Sequence, residues 1–254
     1  MPRYAVQCVL VALIFELLLP STLFSQDARE IVRRADTKYN GEKSSYSEMS
    51  MTIVRSKYKR SIEFKGWAIT GKDALTLITA PAKEKGQSFL KSGNNLWSWN
   101  PTIQRLIKLP PSMMSQGWMG SDYTNDDILK ETSLIKDYNP KIIGNDVING
   151  LKCYKIELLP IESADVVWGK IIIWISEEEY FELKSEFYDE ENYLVKSHIA
   201  SQIKVFDDRR LPSVIEIIPA DEPGNKTVVT LLSMKFNITF PPDFFSQQNM
   251  KRIK

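Results

Sequence analysis

The side chains best equipped for chemistry in this chain fall in one run, Trp118-Met119-Gly120-Ser121-Asp122-Tyr123-Thr124-Asn125-Asp126-Asp127-Ile128-Leu129. Carboxylates packed this closely could bind a cation, act as acid and base, or start a helix. A calcium loop wants acidic oxygens at alternate positions and a glycine in mid-loop. Here the acids do not alternate, and Gly120 comes before them. The third reading uses more of the residues. Thr124 followed three positions later by Asp127 is a capping box with Asp in place of Glu or Gln. Tyr123 and Ile128 stand at the spacing of a hydrophobic staple. Asp126 and Asp127 fall in the first turn, where the helix dipole favours negative charge. Thr124 and Asp127 are therefore read as a helix cap, and no metal site is expected.

Other candidates for chemistry are few. His198 is the only histidine. In the run Val195 to Val205 it shares parity with Lys196, Gln202 and Lys204, which puts it on a polar, solvated face rather than in a general-base role. Glu177-Glu178-Glu179 reads as a solvated turn, although a hydrolase built on paired carboxylates stays open as the weakest reading. No nucleophile elbow, phosphate-binding loop, dinucleotide fingerprint or His-Glu-x-x-His zinc helix occurs. No catalytic residue, metal ligand or cofactor is expected. A formal net charge of +1 gives no reason for a nucleic-acid partner.

The elements that must position these residues are mostly strands. Arg3 and the apolar run Val9 to Leu19, broken by Pro20, read as a cleaved export signal with the cut after Ser25. That assigns residues 1–25 to the signal and 26–254 to one domain, exported to the periplasm as a soluble monomer. Only Cys153 remains after cleavage, so no intrachain disulfide forms, and its setting, "LKCYKIELL", reads as a buried small hydrophobe. Asp27 to Tyr39 shows helical spacing of Ala28, Ile31, Val32 and Ala35, and Asn40-Gly41 stops it.

From Ser45 the period changes to two. Strands are expected over 45–55, 58–70, 74–79, 86–91, 95–99, 105–109, 140–147, 151–159, 170–175, 181–188, 193–205, 213–218 and 227–239. In the last, Val228, Leu232, Met234, Phe236, Ile238 and Phe240 are expected on one face. So many strands without βαβ alternation mean a mainly β protein with one antiparallel sheet. A sheet of that size must curl or close to manage its edges, and its hollow can hold a ligand.

Pro110 to Asp127 interrupts the strands with a long connection carrying Met113, Met114, Trp118 and Met119. Trp97 and Trp99 share one face of a nearby strand. These side chains either fill a core or, with Tyr123, line the hollow and make the connection its lid. Methionine-rich apolar cover over an apolar hollow suits acyl chains.

The stretch "LWSWNPTIQRLIKLPPSMMSQGWMGSDYTNDDI", Leu96 to Ile128, resembles the LolA-like family of outer-membrane lipoprotein-sorting proteins, in its TP-0789-type branch. A Trp-x-Pro-like strand, a basic strand ending in Pro, and a Met-Gly-Ser-Asp-Phe/Tyr-Thr-x-Asp-Asp motif follow in that order, with Tyr123 at the Phe/Tyr position. The resemblance implies a strongly curved, half-open antiparallel barrel with a few short helices covering its mouth. It implies a carrier of acyl chains of a lipoprotein or lipid, without catalysis. The expected partners are an inner-membrane transporter or exporter and an outer-membrane acceptor. Related folds also serve as envelope-stress sensors, which is the alternative. The apolar residues named above are assigned to ligand binding by pattern, not by transfer from the family.

Overall fold

The computed structural model describes residues 27–41, 43–93, 95–125, 127, 134–164 and 166–254. The expected export signal, and Asp126, Ile128 and Leu129 of the motif, lie outside the described residues. The chain opens with α1 (Ala28–Asn40). Six strands follow, β1 (Ser44–Arg55), β2 (Tyr58–Ile69), β3 (Asp73–Ala80), β4 (Ser88–Ser92), β5 (Asn95–Asn100) and β6 (Arg105–Lys108). After the long connection and the short α2 (Leu134–Asp137) come β7 (Tyr138–Ile148), β8 (Leu151–Pro160), β9 (Lys170–Ser176) and β10 (Glu182–Tyr188). β11 (Leu194–Phe206), β12 (Arg209–Pro219), β13 (Lys226–Phe236) and the single turn α3 (Gln247–Met250) complete it.

All thirteen strands described join one antiparallel sheet, in the order β6-β5-β4-β3-β2-β1-β13-β12-β11-β10-β9-β8-β7. The mainly β, single-sheet architecture is the one expected. The order has a consequence for function. β6 and β7 follow one another in sequence but form opposite edges of the sheet. The segment between them must therefore run from edge to edge across the curled sheet.

Each element forms for a visible reason. Asp27 caps α1 by accepting a hydrogen bond from the Arg29 amide at 3.0 Å, and Gly41, at φ 80°, ends it where an L side chain would be strained. The buried stripe Ala28, Ile31, Val32 and Ala35 packs on Ile156, Leu158, Ile171 and Ile175 of the sheet. Fully burying a side chain such as Ile31 contributes roughly 1.5–3 kcal/mol. β9 is apolar on both faces. Ile171, Ile173 and Ile175 face α1, while Ile172 and Trp174 pack outward with Cys153, Phe181 and Leu183. Cys153 is buried and free, as expected of a small hydrophobe.

Two face assignments made from alternation fail. In β13, Leu231, Met234 and Phe236 are buried together, whereas Leu232 is 55% exposed. The register with β1 jumps from Glu48 opposite Ser233 to Met49 opposite Leu231, so Leu232 is the extra residue of a β-bulge. Inward parity therefore passes from Val229 and Leu231 to Met234, and Val228 points the other way. In β11 the supposedly solvated face is the inner one. Lys196 is 2% exposed, and His198 and Ala200 line the interior hollow.

Candidate functional site

Between the concave face of the sheet, α1 and the edge-to-edge connection lies a cavity of about 310 Å³. That is the lower end of the range for small-molecule sites, roughly 300–1,000 Å³. Its apolar wall comes from Val32 and Ala35 of α1, Met49 and Met51 of β1, Phe64 of β2, and Ile171, Ile175 and Phe187 of β9 and β10. Polar groups interrupt it at Ser45, Ser47, Asp36, Glu182, Ser185 and His198. Burial raises the Asp36 and Glu182 carboxyls above their ordinary pKa values, so low dielectric rather than a counter-charge governs both.

The connection closes one end of this hollow with a tight knot. The Trp118 amide donates to the Tyr123 carbonyl at 2.6 Å, and Ser121 Oγ donates to the Trp118 carbonyl at 2.7 Å. A Cβ on Gly117 would stand 2.1 Å from the Ser121 carbonyl oxygen, so only glycine fits there. Met119 and Gly120 both have positive φ, and Arg60 steadies the knot by donating to the Met119 carbonyl at 2.8 Å. The knot presents Trp118 inward. The ring is 2% exposed and meets Phe64 and Phe89 edge-on, with centroids 5.4 and 5.3 Å away. Met114 and Met119 pack around the same cluster.

Two acids of the motif, Asp122 and Asp127, hold the knot to the sheet. Asp122 receives two hydrogen bonds from the Arg55 guanidinium, at 2.9 and 3.0 Å, and one from Thr227 Oγ1 at 2.7 Å. Its own amide donates back to Thr227 Oγ1 at 3.0 Å. Asp127 makes the reciprocal cap with Thr124. The Thr124 amide donates to Asp127 Oδ2 at 2.7 Å, and the Asp127 amide donates to Thr124 Oγ1 at 3.1 Å. The same carboxylate pairs with Lys196 Nζ and accepts from Trp168 Nε1 at 3.3 Å. The side chains of this ion pair are 3% and 6% exposed. Burial opposes ionisation of Asp127, but the Lys196 ammonium and the Thr124 amide outweigh it and hold the carboxyl below its usual range. The Lys196 ammonium also lies 4.8 Å from the Trp168 ring centroid and 5.1 Å from that of Phe187.

The candidate residues do not all converge. Trp118 and Tyr123 line the cavity. Met114 and Met119 stand behind Trp118, and Met113 is half-buried with its carbonyl accepting from Asn125 at 2.9 Å. Trp97 and Trp99 face away. Opposite Leu90 and Ser88 in register, they lie under Phe244, Phe245 and Met250 of the C-terminal segment. Their shared parity was read correctly, but inward parity in β5 belongs to Leu96, which packs with Trp118. Residues missed from sequence are Arg55, Lys196, Trp168 and His198. All four acquire their roles through partners 41 or more positions away.

His198 sits 4.5 Å from Phe187 and 6.1 Å from Tyr123, ring centre to ring centre. Burial and the neighbouring Lys196 charge push its pKa down to about 3. Among the described residues, no three His, Cys, Asp or Glu side chains gather to hold a metal ion. Nor, among them, is any helix long and apolar enough to cross a membrane.

Known proteins with this geometry share the fold. An outer-membrane lipoprotein-sorting protein domain from Vibrio parahaemolyticus superposes with TM-score 0.78 at 20% identity, over 89% of this chain and 98% of that one. A DUF1329 family protein from Desulfovibrio piger gives 0.80 at 21% identity, over 88% and 97% of the two chains. A LolA superfamily protein from Nitrosomonas europaea gives 0.75 at 22% identity, over 87% and 98%. Among curated proteins, none matches significantly. A family model described as "-like: Uncharacterized protein" matches residues 70–252. The match takes in β3 to β13 and the knot, so the chain belongs to that family, and the fold it carries is the LolA-like one.

Proposed function

We propose that this protein is a periplasmic carrier that shelters acyl chains of a lipoprotein or lipid on the way to the outer membrane, without chemistry of its own. The observation that carries the reading is the largely apolar cavity roofed by α1 and the Trp118 knot. Acyl chains are bound by apolar area rather than by directed hydrogen bonds, and this wall supplies area from five elements at once. An LolA-like fold is compatible with cargo received from an inner-membrane transporter or exporter and released to an outer-membrane acceptor. Trp118 and Tyr123 are the motif residues assigned to the ligand, with Met114 and Met119 as the packing behind them.

The test is native mass spectrometry of the mature protein purified from periplasm without detergent, followed by organic extraction. A bound mass that extracts as lipid or acylated peptide is expected. Protein that is empty and also takes up no fluorescent acyl probe would overturn the carrier reading.

A further inference from the structure

Two polar atoms of side chains on the cavity wall are buried without a hydrogen-bond partner among the described residues, His198 Nε2 and Trp118 Nε1. Buried polar atoms nearly always find partners, because the water they give up must be replaced. The two belong to one end of the cavity. Trp118 is hydrogen-bonded through its amide to the Tyr123 carbonyl, and the Tyr123 ring neighbours His198. A third such atom, Glu84 Oε2, belongs to a carboxylate paired with Arg60 and lies outside the wall.

The surrounding charges narrow what could satisfy them. Asp127 is neutralised by Lys196, while Lys38 and Lys184 of the wall are paired with Glu179 and Glu186. Burial keeps the His198 imidazole neutral at physiological pH and raises the Asp36 and Glu182 carboxyls. Such a wall penalises an ionised guest. An indole N–H only donates, and a neutral imidazole can donate through Nε2. What such donors want is an uncharged acceptor oxygen.

We propose that His198 and Trp118 anchor the carbonyl oxygen of an acyl guest, so that the cavity selects ester- or amide-linked acyl chains over hydrocarbon of equal length. The inference rests on the carrier reading and adds a polar contact to it.

The experiment compares methyl hexadecanoate with hexadecyl methyl ether, which lacks the carbonyl, as competitors of a fluorescent acyl probe. The full mature protein should bind the ester about tenfold more tightly, the scale of a buried hydrogen bond. His198→Leu should lower the ratio several-fold, leaving only the share that Trp118 Nε1 supplies, and His198→Gln, which keeps a donor, should restore part of it. Because His198 is the only histidine, its imidazole nitrogen signals need no assignment. They should shift when the ester binds and stay put with the ether. Equal affinities in the parent, or an imidazole indifferent to bound ester, would sink the anchor while leaving the carrier intact. If neither compound competes, the carrier reading itself falls. Dipalmitoylglycerol and an N-palmitoyl peptide then separate a glycerolipid source from an acylated protein. Binding of either that weakens in His198→Leu supports the anchor, and indifference of both overturns it.

Discussion

The two covers of the cavity are attached by different physics. α1 is seated by apolar side chains: Ile31 and Val32 are at most 2% exposed and rest on the isoleucines of β9. The knot around Trp118 also buries apolar surface, but it is fastened by charge, through Asp122 on Arg55 and Asp127 on Lys196. An apolar seat is graded, so trimming one side chain weakens it without reversing its sign. A buried ion pair depends on both members, because removing one strands the other in low dielectric. The apolar contacts of the seat are also indifferent to pH, whereas the fastening is not.

Lys196→Met should show the contrast most strongly. It leaves Asp127 buried without its counter-charge and is expected to cost about 3–5 kcal/mol in denaturant unfolding. Lys196→Met combined with Asp127→Asn removes the stranded charge and keeps one acceptor oxygen, for the Thr124 amide, while losing the one used by Trp168 Nε1, and should recover part of that loss. A single variant as stable as the parent would mean the fastening is ornamental.

Ile31→Ala comes next, at about 2–5 kcal/mol. Its penalty, measured by the same unfolding titration, should be the same at pH 5 and pH 8 to within about 0.5 kcal/mol, since no charge is involved. A penalty that changes with pH would blur the distinction between the two covers.

The pH limb is the finest test. The His198 pKa is lowered from 6.5 to about 3 in the folded protein. Between those values the unfolded chain binds a proton that the native one does not. Stability from this group is therefore present above about pH 6.5 and falls as pH drops toward about 3, by about 1.4 kcal/mol per unit. Asp127, held below its ordinary value, adds loss only at the acid end, as pH falls through its folded pKa. His198→Leu should flatten the upper part of the limb and leave the acid end. An unchanged slope between pH 6 and pH 5 would show that His198 does not titrate as its burial requires.

The strand plan was legible because alternation is a local property of the chain. A run such as Glu182–Tyr188 alternates buried and half-buried along its whole length, and its sequence alternates with it. The Thr124–Asp127 cap was legible for the same reason, since both partners lie within one turn. Alternation went astray where one residue of insertion changed parity, at Leu232. It also went astray in β11, where polar side chains face inward. Lys196 there looks solvated until a carboxylate 69 positions away is brought against it.

Composition and spacing alone thus decided that this chain forms one antiparallel sheet with a capped connection, since backbone pairing and burial periodicity are written into neighbouring residues. Which face is concave, that Trp97 and Trp99 lie outside while Trp118 and His198 lie inside, and that Asp122 and Asp127 fasten a cover to the sheet were decided only by the closing of the sheet. Curling brings β11, β13 and β1 within reach of the segment that joins the two edges. Only there, in low dielectric, do Lys196 and Asp127 become partners rather than surface charges.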